Sequence, residues 1–415
     1  MSDSAPKNAT IGKFLLLGIL SAVFAVNIID VFVPLLLPEI AKTYGIKLAT
    51  AATLSAYSLL AGVVGGFALS ALSIRVKYKT LLTLGVLTTP ISVLGVYLAP
   101  SFLLAQIFYA LNGVGSVMVA IMSPALIAEL YPLNKKATRI SWVASTAYIA
   151  LLVANPITGF LSSSGAISSW RSSLLWFLLP VTTVCLFLVV VLVPSKTSIS
   201  QDAFKKAPFM TGFREILANR SALACLVNGL LGSIWLAATV FVPSFYANVF
   251  ALSPASRGMV STLTLTLVVG GTLMGGFLVN PIGRKRLMVI SASTAILVSV
   301  LSYVIMIFVP NLWLGIGIRS IGAFLGGFVF VASPNLVVEQ VPKYRGTMMS
   351  LGQGLGGIGR AAGVFVGGAA LSFFGNSTVG YSATMGILGV LGLTGTLCLV
   401  LFAKDPCRNQ LQTPP

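Results

Sequence analysis

The sequence has no histidine, only eight acidic residues and only four cysteines in 415 positions. Without His, a proton relay has only Asp and Glu to draw on. Cys185, Cys225, Cys398 and Cys407 are scattered and form no CxxC pair, so they read as inert apolar residues, with no metal site and no disulfide framework. Charged residues make up 8% of the chain, against about 25% in ordinary soluble proteins. A soluble domain needs a charged shell, and this chain cannot build one. That excludes a cytosolic enzyme and a disordered tail. No GxxxxGK[ST] segment occurs, so no nucleotide-driven motor is indicated.

What is present is apolar. Residues of the hydrophobic class account for 57%, and the mean hydropathy is +0.99. The chain reads as a polytopic helical membrane protein. Spans are expected near 13–39, 48–72, 80–99, 102–130, 140–163, 173–194, 221–246, 258–281, 287–309, 312–336, 347–374 and 380–403. The first apolar stretch is too long for a cleavable signal and is expected to remain as the first helix. The longest polar gap, 195–220, splits the chain into an N-terminal bundle (1–194) and a C-terminal bundle (221–415) of six spans each.

The net charge of +18 comes from 26 basic residues. On a soluble protein it would suggest nucleic acid. Here it sets topology, because Lys and Arg concentrate in cytoplasmic loops. With the N-terminus inside, twenty basic residues lie on the cytoplasmic face and four (Lys42, Lys47, Arg171 and Arg257) lie outside. The other two, Arg319 and Arg360, lie within spans. Both termini are therefore expected in the cytoplasm, with the protein in the cell membrane, and no nucleic-acid partner is expected.

The halves repeat one another. Pro124, Glu129, Pro132 and Lys135 in and after span 4 match Pro334, Glu339, Pro342 and Arg345 in and after span 10, each pair 210 residues apart. Val31-Phe32-Val33-Pro34 recurs as Val240-Phe241-Val242-Pro243, and Val63-Val64-Gly65-Gly66 as Val268-Val269-Gly270-Gly271. A parallel repeat of six spans implies a pseudo-twofold axis along the membrane normal and a site between the halves. The six-plus-six pattern, the polar central loop and the SPxLxxExxP segments closing spans 4 and 10 resemble the major facilitator superfamily. The resemblance implies an all-α fold of twelve transmembrane helices in two pseudo-symmetric six-helix bundles. Within it, span 1 (Asn27-Ile-Ile-Asp30-Val-Phe-Val-Pro34) is similar to the twelve-helix drug:proton antiporter group. Asn155-Pro156-Ile-Thr-Gly159 in span 5 looks like a worn copy of that group's antiporter motif.

The resemblance also implies a cytoplasmic latch. Gly276 to Arg286 after span 8 resembles the family's GxLaDRxGRR loop, with Asn280 in place of the Asp. The loop after span 2 keeps Arg75 and Lys79. The latch candidates are Arg75, Lys79 and Glu129 in one half and Arg284, Lys285 and Glu339 in the other.

Three charges are not explained by topology. Asp30 lies well inside span 1, where a carboxylate costs about 2.5–3.5 kcal/mol on insertion scales. Asn27 and Pro34 share its helical face. Asp30 is the proton-coupling candidate; its repeat mate is Thr239. Arg319 occupies, in span 10, the place held in span 4 by Tyr109. Arg360 sits among glycines in span 11, where close helix packing leaves room beside a guanidinium. Candidates for binding solute are Asn27, Tyr109, Asn155, Thr239, Arg319, Gln353 and Arg360. The expected activity is secondary active transport, acting as a monomer on a small organic solute and protons, with no cofactor and no catalysis. Two substrate readings stay open: proton-coupled efflux of small organic compounds, or transport of an organic anion on the intramembrane arginines. A channel would need a ring of repeated polar residues, and none appears.

Overall fold

The computed structural model describes residues 5–72, 76–131, 133–163, 169–194 and 209–405, with side chains at all of these except 5–13, 67–72, 128–130, 133–138 and 209–212. Arg75 and the side chain of Glu129 therefore lie outside the described residues.

Among the described residues, twelve helical segments are long and apolar enough to cross a bilayer. The first six are Phe14–Tyr44, Leu48–Gly66, Tyr78–Leu98, Phe102–Ile127, Arg139–Ser163 and Trp170–Leu192. The second six are Arg220–Phe250, Pro254–Ile282, Arg284–Phe308, Leu312–Val338, Pro342–Phe374 and Thr378–Phe402. They are called spans 1 to 12 below. The expected polar gap after span 6 is not loop throughout. Phe209–Ala218 forms a helix, because Phe213, Ile216 and Leu217 recur at helical spacing, and Ile216 is fully buried.

The chain divides into two compact units. The first falls within Met1–Ile46, Tyr57–Gln201 and Ser253–Met259; the second falls within Lys47–Ala56, Asp202–Leu252 and Val260–Pro415. The boundary is not a single cut. The start of span 2 belongs to the second unit, and the first turn of span 8 belongs to the first.

Packing inside each unit follows one scheme. In the first, span 3 packs on span 4, span 1 on spans 5 and 6, and span 3 on span 6. In the second, span 9 packs on span 10, span 7 on spans 11 and 12, and span 9 on span 12. One glycine of each repeated pair sits at a close helix contact. A Cβ on Gly65 would fall 2.9 Å from the Val114 side chain, and one on Gly271 would fall 1.9 Å from the Phe324 carbonyl oxygen. Small residues let helix backbones meet in this way.

Spans 1 and 7 break at matching places. Span 1 is helical to Ile28, tightens to a 3₁₀ turn over Ile29–Val31, and resumes at Phe32. Span 7 is helical to Leu236 and resumes at Ala238. The sequence supplies the cause. Pro34 has no N–H to give the Asp30 carbonyl, and Pro243 has none for Thr239. The repeated proline thus loosens the backbone at Asp30 in one half and at Thr239 in the other. Each broken span ends in a left-handed residue, Gly45 (φ 63°) or Ala251 (φ 52°). Gly takes this conformation readily.

Candidate functional site

In the first unit, span 1 is almost wholly encased by its neighbours. Between Ser21 and Leu37 the residues that are not buried are Phe24, Asn27, Asp30 and Pro34. Their spacing makes one open stripe along the helix, and Asp30 is its most exposed member. The stripe expected from sequence is therefore present, although the helix is interrupted beside it. The 3₁₀ turn sets Asp30 where the backbone is already loosened. Asn27 turns its amide back onto the Val23 carbonyl at 2.8 Å, so its nitrogen is engaged within its own helix.

Tyr109 of span 4 approaches this turn. It is 3% exposed, its Oη lies 3.5 Å from the Ile29 carbonyl, and its phenol is within electrostatic reach of Asp30. The structure thus brings together Asp30, Asn27 and Tyr109. A carboxyl group on an open stripe beside a phenol can take up and release a proton without leaving the helix.

The matching region of the second unit is built differently. Thr239 is exposed and donates its hydroxyl to the Leu236 carbonyl at 2.7 Å. Arg319, in Tyr109's place, donates Nη1 to Tyr303 Oη at 3.2 Å. No ion pair to Arg319 occurs among the described residues. Tyr303 and its neighbours Tyr246 and Tyr381 surround Phe245, whose ring centroid lies 5.5, 4.8 and 5.3 Å from those of Tyr246, Tyr303 and Tyr381. Asn248 donates to Tyr381 Oη at 2.9 Å. Tyr246 and Tyr303 were not singled out together by the sequence, because tyrosines from spans 7 and 9 meet only through the fold.

Arg360 and Gln353 are both exposed on span 11. Nearby, a Cβ on Gly359 would fall 2.0 Å from the Leu230 carbonyl oxygen, so the glycines serve close packing of span 11 on span 7. Asn155 is 8% exposed and donates to the Leu151 carbonyl at 2.9 Å. Its surroundings are structural. Cβ atoms on Gly258 and Gly159 would fall 2.4 and 2.5 Å from the carbonyls of Asn155 and Pro254, and Ser163 accepts from the Ala255 N–H at 2.9 Å. The span 5 segment therefore cradles the first turn of span 8 inside the first unit.

One pair was missed by the sequence altogether. Arg257, counted there as an outside loop charge, is 1% exposed. It donates Nη1 to the Leu35 carbonyl at 2.8 Å and forms an ion pair through Nη2 with Glu39 of span 1. Nothing in the linear sequence links residues separated by 218 positions.

At the loop ends, Arg284 Nη1 lies 3.8 Å from Glu339 Oε1, and Arg345 Nη2 pairs with Glu339 Oε2 at 3.1 Å. Lys285 Nζ donates to the Val400 and Ala403 carbonyls at 2.9 and 2.7 Å, capping the last helix at its electronegative end. Lys79 Nζ donates to the Val190 carbonyl at 3.0 Å in the same manner. Glu339 thus collects two guanidinium groups, and each lysine closes a helix terminus. Among the described residues no cluster of His, Cys, Asp and Glu could hold a metal ion.

Comparison with known proteins gives concordant results. The family model described as Major Facilitator Superfamily matches residues 15–305 and 258–414. No curated protein matches the chain by sequence. Among solved structures, a bacterial homolog to the human lysosomal transporter Spinster is similar at TM-score 0.70 and 17% identity, covering 96% of each chain. The nucleoside transporter NupG is similar at TM-score 0.74 and 14% identity, covering 93% of this chain and 98% of its own. A D-xylose-proton symporter is similar at TM-score 0.73 and 16% identity, covering 94% and 97%.

Proposed function

The chain belongs to the major facilitator superfamily, and from that premise we propose that it is a secondary active carrier of a small organic solute, driven by protons that bind and leave Asp30. One observation carries the reading. Asp30 is the most exposed residue of the open stripe of span 1, at a backbone break and beside Tyr109. An intramembrane carboxylate is costly and marks a proton or ion path by default. A solved structure of similar fold is described as a D-xylose-proton symporter, which supports proton coupling as a use of this architecture.

The direction proposed is efflux, on the likeness of span 1 and span 5 to the drug:proton antiporters. The basic loops support a cytoplasmic placement of both termini in the cell membrane. A proton moving with the membrane potential supplies about 2.3 kcal/mol per 100 mV, enough to concentrate a solute without nucleotide hydrolysis. The carrier works as a monomer in this proposal, and Glu339 with Arg284 forms a cytoplasmic latch.

The test is flux in proteoliposomes, with the solute found by a thermal-shift screen. Asp30→Asn should abolish transport driven by a pH gradient. Gradient-driven transport that survives Asp30→Asn would remove Asp30 from the coupling role.

A further inference from the structure

Arg319 is a permanent cation inside span 10, seven residues past the first residue of the helix and so about 10 Å along it at 1.5 Å per residue. A guanidinium carries five donors and no acceptor. Its one described protein partner is the neutral phenol of Tyr303, and its Nε is buried with no hydrogen-bond partner. The Tyr246 hydroxyl is also buried without a partner, on a residue 2% exposed and within electrostatic reach of Arg319. Tyr303 Oη is already accepting from Arg319, so its own hydrogen is available to donate. Three donors thus gather around one positive charge, and among the described residues no acceptor answers them.

Buried polar groups are almost always satisfied, and each exception needs a cause. The described acids of this unit do not supply one. Glu215 pairs with Lys343, Glu339 with Arg284 and Arg345, and Asp405 lies at the Lys285 N–H. The missing component has a definite chemistry: several acceptor oxygens and one negative charge. Arg319 as a whole is half-buried. The ring of Phe245, edge-on to Tyr246 and Tyr303, lends the surroundings an aromatic character.

We infer that Arg319, Tyr246 and Tyr303 form a binding site in the second unit for the anionic group of a small organic oxyanion, a carboxylate or sulfonate. The guanidinium would neutralise the charge, and the two phenols would donate to its oxygens in charge-assisted hydrogen bonds. This deepens the carrier reading by naming a substrate class, and it rests on that reading for its place in transport. Binding itself is tested separately.

The test uses the full chain, delipidated in neutral detergent, with benzenesulfonate and benzoate as probes and benzamide as the uncharged control, read by calorimetry. The anions should bind saturably and benzamide should not. Arg319→Gln should weaken the anions at least about tenfold, a difference of about 1.4 kcal/mol. Tyr246→Phe keeps the ring and removes only the unpartnered hydroxyl. It should weaken anion binding several-fold while the melting temperature holds or rises, which separates ligand contact from a fold defect. Asp30→Asn should leave anion binding intact, so failure of the proton reading and failure of this one are distinguishable. Equal binding to wild type and Arg319→Gln would overturn the site, as would equal affinity for benzamide. Co-purification of phosphatidylglycerol with wild type but not with Arg319→Gln, with no probe bound, would overturn it in favour of a lipid phosphate.

Discussion

The two units share a packing scheme, a proline-loosened first helix and a glycine contact between their second and fourth spans, yet their charges are divided. In the first unit the repeat positions hold Asp30 and Tyr109; in the second they hold Thr239 and Arg319. The acid meets one phenol at the break in span 1, whereas the arginine meets phenols from spans 7 and 9. A duplicated scaffold fixes where a polar group can sit, and each copy is then free to change its sign. On the proposed reading, the first half holds the proton site and the second the donor-rich cationic site.

The largest expected effect comes from moving the second unit's residue into the first. Tyr109→Arg sets a guanidinium against Asp30, and flux driven by a pH gradient should be abolished while the protein remains folded by circular dichroism. Next is the contrast between two arginines. Arg257 is the buried partner of a carboxylate, with Glu39 29% exposed. Arg257→Ala strands that carboxylate and should lower stability by about 3 kcal/mol, the low end for breaking a buried pair because Glu39 keeps some water. Arg319→Gln leaves no acid behind, so its melting temperature should move little. A thermal shift assay on the two variants side by side checks both. A further contrast concerns the helix contacts. Gly271 faces a carbonyl oxygen, whereas a Cβ on Gly66 would meet the Val117 side chain at 3.1 Å. Gly271→Ala should cost about 1–3 kcal/mol by overpacking, and Gly66→Ala should cost less because a side chain yields more easily than backbone.

Much of the architecture was legible because membrane insertion is governed by local composition. Runs of apolar residues mark the spans. The repeat was legible wherever Pro, Gly and Glu recur at fixed separation. Asp30 and Arg319 stood out because a charge in a span needs a reason. The helix at Phe209–Ala218 was hidden by Lys205 and Lys206 before it and Arg214 within it, which make the segment look like plain loop. The Arg257–Glu39 pair was hidden because both residues lie near span ends, where charges are ordinary. The partners of Arg319 were hidden for a related reason. Tyr246 reads only as one of many polar span residues, and Tyr303 as an apolar-compatible one, until spans 7, 9 and 10 bring them to Arg319. A linear reading can find an isolated charge but not the absence of an answering one.

The division between the units is tested most directly by measuring gradient-driven flux and solute counterflow on the same variants in proteoliposomes. If Asp30 carries the coupled proton and Arg319 the anion, Asp30→Asn will lose gradient-driven flux and keep counterflow, and Arg319→Gln will lose both for an organic anion. Asp30→Asn protein that still concentrates solute along a pH gradient would contradict the division.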